Sequence, residues 1–156
     1  KITSKDQTYF AATQKYKTVG ATDEVKEGPN YVQVTDNRGT EAGWSLKVKQ
    51  EGQFKSTSGK ELTGAAITFK NGNVVTASDS GKPTGPATIT LNSDGSQSDV
   101  MSAAKGNGAG TYLFDWGTDA TTAAKSIELT VPGSTTKYAE KYATKLTWTL
   151  TDAPGN

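Results

Sequence analysis

The stretch GWSLKVKQ, Gly43 to Gln50, puts Trp44, Leu46 and Val48 on alternate positions and fills the gaps with Ser45, Lys47 and Lys49. Successive side chains of a strand point to opposite faces, so this reading gives one apolar side and one polar side. Near the other end, LTWTL at Leu146 to Leu150 repeats the Trp-x-Leu arrangement with Trp148 and Leu150. Two of the three tryptophans therefore occupy the same three-residue pattern, each placing a large aromatic beside a leucine on one strand face. The alternation assigns Ser45, Lys47, Thr147 and Thr149 to solvent and both tryptophan rings to a core.

The same period of two recurs along the chain. Val32 and Val34 share a face, as do Ala65, Ile67 and Phe69, Ile89 and Leu91, and Ile127, Leu129 and Val131. Tyr142, Thr144, Leu146, Trp148 and Leu150 read as one long run. Asp36-Asn37-Arg38-Gly39, Lys70-Asn71-Gly72 and Ser93-Asp94-Gly95 supply turns, with Asp36 and Arg38 placed to pair across the first. The glycine-rich segments from Ala77 to Pro86 and from Ala103 to Gly110 are expected to be the loosest. In TKYAEKYATK, Tyr138 and Tyr142 lie four apart and allow a short helix.

At 156 residues, with 33% hydrophobic residues, 17 glycines and 25 threonines, the chain fits one domain, 1–156. The fold class expected is all-β, a sandwich of mainly antiparallel strands, with closure into a barrel as the alternative. No Cys is present, so neither a disulfide framework nor a thiolate zinc site exists. No His is present either, which excludes histidine-dependent triads and the commonest transition-metal ligand. A net charge of +1 with interspersed signs offers no electrostatic footprint for nucleic acid, and no apolar run is long enough to span a membrane.

Other constellations are weak. Asn92, Asp94 and Asp99 loosely resemble a calcium loop but lack an early ligand and the closing Glu, so a plain turn is the better reading. No carboxylate pair stands out for glycosidase chemistry, and Asp115 reads as a strand end. TLTDAPGN superficially resembles the last strand of isopeptide-bonded domains but has Asp152 where no matching spacing is evident. Trp116, in TYLFDWGTD, reads as a core-edge aromatic, with a sugar-stacking ring as the second reading. No catalytic residue, metal ligand or cofactor is assigned.

The segments YVQVTDNRGTEAGWSLKVKQ, FKSTSGKELTGAAITF, SIELTVP and YATKLTWTLTDAP, together with the opening ITSKDQTYFA, resemble the WxL domain. That family is a C-terminal surface module of Gram-positive Firmicutes such as enterococci, listeriae and lactobacilli. The resemblance covers essentially the whole chain and implies a secreted, non-catalytic protein held non-covalently on the cell wall through peptidoglycan. It makes Trp44, Leu46, Trp148 and Leu150 the motif residues; Trp116 belongs to neither motif and is a candidate only through its own strand-end position. Partners would be a cell-wall glycan and other surface proteins of the same gene cluster. An adhesin that binds host matrix protein is the first alternative, and a carbohydrate-active enzyme the weaker one. The chain starts at Lys1 as a mature or excised fragment would, and it ends in DAPGN with no LPxTG-type signal, so covalent sortase attachment is not expected.

Overall fold

The structure, a computed structural model, describes residues 4–17 and 25–154. In chain order the strands are β1 (Gln7–Phe10), β2 (Gln14–Lys17), β3 (Val25–Gly28), β4 (Asn30–Asp36), β5 (Trp44–Gln50), β6 (Lys55–Ser56) and β7 (Ala66–Phe69). They continue as β8 (Gly72–Val75), β9 (Ile89–Thr90), β10 (Gln97–Ala103), β11 (Gly110–Trp116), β12 (Ile127–Val131), β13 (Tyr142–Ala143) and β14 (Leu146–Thr151). One short helix, α1 (Ala120–Ala123), is held by a capping box in which Asp119 and Thr122 satisfy each other's backbone amides. The expected all-β class holds, and every strand pair among the described residues is antiparallel.

Three sheets, β4-β11-β8, β10-β5-β14 and β1-β12-β7-β9, build the sandwich, and none of them closes on itself into a barrel. The sheets meet in a core of Val34, Tyr112, Phe114 and Trp116 from the first, Trp44, Leu46, Val48 and Met101 from the second, and Ile67 and Phe69 from the third. Aromatic contacts cross the seam. Trp44 tilts against Tyr112 at 6.2 Å, and Phe69 against Trp116 at 4.8 Å. A bulge between Asp99 and Met101 in β10 turns two successive residues, Val100 and Met101, into the core.

The last long run is not one strand. Tyr142 and Ala143 pair with β6, whereas Leu146 to Thr151 pair with β5, and the chain changes sheets at residues 144–145. The partner strand breaks at the same level, between β5 and β6, but with more residues in its gap, so a continuous register cannot pass. Glu51 N–H donates to the Lys145 carbonyl and Thr144 Oγ1 to that of Gly52, which together pin the bend.

No helix forms around Tyr138 and Tyr142. The Tyr142 hydroxyl instead accepts from the Tyr138 amide, and β13 begins at Tyr142, so pairing with β6 takes the backbone that a helix would have used. The two glycine-rich segments carry isolated backbone bridges. They are tied to each other by the Gly81–Asn107 bridge, and the 77–86 segment is further bridged to β10 through Thr84 and Ser102.

The turn after β4 forms as read. Gly39 is left-handed, and Arg38 grips both oxygens of Asp36, at 2.9 and 3.0 Å. The same guanidinium also donates to the carbonyls of Gly43 and Asp152, one residue before Trp44 and two after Leu150. The Arg38 fork therefore ties the turn to the ends of both Trp-x-Leu strands. It also holds the Asp36 carboxyl below the usual aspartate range. A depressed carboxylate pKa contributes stability that is present above its unfolded value and is lost as pH falls through the folded one. Arg38→Met should lower the melting temperature at neutral pH and flatten its fall on the acid side. Thermal melts from neutral to acid pH check this.

Candidate functional site

Strands β5 and β14 are direct neighbours, and the two Trp-x-Leu motifs run past each other in opposite directions. Leu150 lies opposite Leu46, and Trp148 opposite Val48. Cross-strand partners share a face, so all four motif residues point to the same side of the sheet. They do not share the same environment. Strand β5 is central and β14 is the edge, so Trp44 is 2% exposed while Trp148 is 38% and Leu150 55% exposed.

Trp44 is a structural residue. Its indole N–H donates to the Gly108 carbonyl at 3.0 Å, deep in the core. Two left-handed glycines let the backbone close around it. A Cβ on Gly43 would stand 2.6 Å from the Ala103 carbonyl, and one on Gly108 would stand 2.6 Å from the indole nitrogen itself. The expectation that both motif rings are core holds for Trp44 and fails for Trp148, whose ring leans on Trp116 at 6.1 Å and Phe69 at 6.5 Å with its far side open. The alternation was right, but an edge strand has a neighbour on only one side. Ser45 is also corrected. It is buried, because a short side chain on a central strand sits low between its paired neighbours Ser102 and Thr151.

Trp116 is buried among Phe69, Phe114 and Trp148, so the sugar-stacking reading of this ring is withdrawn. Asp94 is occupied locally, accepting from the amide and hydroxyl of Ser96 as a turn residue. Asp115 carries a buried oxygen without a hydrogen-bond partner among the described residues, and burial raises its pKa.

A comparison with protein families matches residues 1–154 to one described as WxL domain surface cell wall-binding. The chain belongs to the WxL domain family. Comparisons with curated proteins and with solved structures each returned no match. The WxL domain is thus a cell-surface, cell-wall-binding module, and none of its described helices is long and apolar enough to cross a membrane.

Two concavities of the WxL domain bear on binding. A small slot of about 230 Å³ lies where the motifs meet, lined by Val34, Thr35, Asp36, Asn37, Arg38, Trp44, Leu150 and Asp152. Asp36 and Arg38 are committed to each other through the fork, and Val34 and Trp44 are buried, which leaves Thr35, Asn37, Leu150 and Asp152 as its exposed lining. A wider hollow of about 510 Å³ is lined by Lys60, Glu61, Thr63, Ser134, Thr135, Thr136 and Tyr138. The Lys60 ammonium sits 3.8 Å from the Tyr138 ring centroid, and Tyr138 remains 41% exposed. Its walls are fixed from behind. Glu140 accepts from the hydroxyls of Thr57 and Ser58, which holds its carboxyl below the usual range, and Thr135 donates to the Thr63 carbonyl. Sequence reading missed this hollow because none of its residues belongs to a motif. The only signal was the density of hydroxyls in GSTTKY.

Trp44→Ala should cost roughly 3–5 kcal/mol, since it removes a buried ring and leaves a cavity. Trp148→Ala should cost only about 1–2 kcal/mol, because much of the ring is already solvated. Chemical denaturation of the two variants measures the difference. Asp115→Asn should raise the melting temperature at neutral pH and leave it unchanged below the ordinary aspartate pKa, where the carboxyl is protonated in both folded and unfolded chains. Parallel melts at the two pH values check it.

Proposed function

We propose that the chain is one non-catalytic domain that holds a secreted protein on the Gram-positive cell wall by non-covalent contact with peptidoglycan, through the hollow beside Tyr138. The observation that carries the proposal is the make-up of that hollow: hydroxyls, one cation, one anion and a half-exposed aromatic ring in an open depression. A pyranose presents C–H faces to a ring and a rim of hydroxyls to Ser and Thr, and the peptide stems of the wall carry the carboxylates and amines that Lys60 and Glu61 would meet. An open depression also admits a polymer that continues at both ends. The net charge of +1 gives little long-range attraction to anionic polymers, so contact rather than charge must hold the complex.

Purified sacculi, with and without their teichoic acids, test the reading in a pull-down. Tyr138→Ala should bind about tenfold more weakly or worse, with the wild-type melting temperature, and wild-type binding should survive physiological ionic strength. Undiminished binding by Tyr138→Ala would move the site elsewhere, and loss of wild-type binding at that salt would make charge the driving force. Soluble muropeptides released in proportion to the amount of domain would show that it is an enzyme.

A further inference from the structure

The edge formed by β14 is unusual in what it lacks. Its six residues, LTWTLT, contain no charge and no proline, and its ladder with β5 runs without a bulge. Folded proteins ordinarily blunt an exposed edge with one of these devices, because free backbone groups recruit another strand. Among the described residues nothing pairs with the outer side of β14.

The backbone phase identifies the groups on offer. Glu51 N–H donates to the Lys145 carbonyl, so the pair 145 and 51 is a hydrogen-bonded one. In an antiparallel ladder hydrogen-bonded and non-bonded pairs alternate, which directs the backbone of Thr147, Thr149 and Thr151 toward β5. The N–H and C=O groups of Leu146, Trp148 and Leu150 therefore face outward. Trp148 and Leu150 are also the residues of β14 whose large apolar side chains remain exposed.

We propose that β14 pairs antiparallel with β14 of a second copy of this chain, across a two-fold axis at Trp148. The segment Leu146 to Leu150 reads the same in both directions, LTWTL, which is the self-complementarity that a two-fold strand pair requires. Centred on Trp148, the pairing sets Leu146 of one copy against Leu150 of its partner and brings the two Trp148 residues together. Every outward backbone group of the five then finds its counterpart, and the three-stranded sheet continues into its copy. The flanks agree in charge. Lys145 precedes β14 and Asp152 follows it, so antiparallel pairing brings the cationic end of one strand to the anionic end of the other. An extended segment of a different protein would meet the edge without this match.

Analytical ultracentrifugation should show concentration-dependent assembly from the 16.4 kDa chain to twice that mass. Leu150→Lys should weaken dimerisation roughly tenfold or more, since it places a charge in each half of the pairing. A crosslink tests the register itself. Thr147 of one copy and Thr149 of its partner form a non-bonded pair, with Cα atoms at the roughly 4.5 Å separation that a disulfide accepts. The chain has no native cysteine to interfere. Under mild oxidation Thr147→Cys/Thr149→Cys should form covalent dimers, and either single variant should do so far more slowly. A chain that stays monomeric throughout, or a double variant that crosslinks no faster than the single ones, would overturn the proposal. So would a dimer that Leu150→Lys leaves intact.

Discussion

The ladder between β5 and β14 joins a strand from the first third of the chain to the last strand described, and the rest of the molecule is arranged so that this long closure can form. Bringing distant segments together costs loop entropy before any contact compensates it. The compensation is concentrated at the ladder and behind it, where Trp44, Leu46 and Val48 of β5 are buried in the core with Tyr112, Met101 and their neighbours. The Arg38 fork then secures one end of the ladder, where β5 begins and β14 finishes, by holding the carbonyls of Gly43 and Asp152. Below the ladder, the bend at residues 144–145 passes the same two chains on to β6 and β13.

From that bend follows the position of the hollow proposed to meet the cell wall. Pairing of β6 with β13 brings the turn carrying Lys60 close to the loop carrying Tyr138, and Glu140 fastens the two through Thr57 and Ser58. The motif strands thus organise the hollow without lining it. Such a division suits a binding module. Buried aromatic rings resist change and cannot reach a ligand, while small polar residues on braced turns stay accessible at little entropic cost.

The two Trp-x-Leu motifs have the same local chemistry and different roles. One tryptophan is enclosed, with its indole proton satisfied by Gly108. The other closes one flank of the core with a single side of its ring and leaves its backbone outward-facing at an uncharged edge. The proposed self-pairing would use the features that make β14 a poor edge for a solitary molecule.

Composition and alternation in the sequence determined the all-β class, the strands at Val32, Trp44, Ile67, Ile89, Ile127 and Leu146, the left-handed turns at Gly39, Asn71 and Gly95, and the Asp36–Arg38 pair. These are local properties, set by side-chain period and by backbone freedom within a few residues. The family resemblance was legible for the same reason, being carried by short strand motifs. Only the tertiary structure decided which strand is central and which is an edge, and with it the burial of Ser45 and the exposure of Trp148 and Leu150. The period of two says which residues share a face, and it is blind to how many strands flank that face. Tertiary pairing likewise split the run from Tyr142 to Leu150 between two sheets and replaced the helix allowed by the spacing of Tyr138 and Tyr142. The hollow was illegible because its residues come from two turns made adjacent by a two-residue strand, β13, too short to leave a periodic signal.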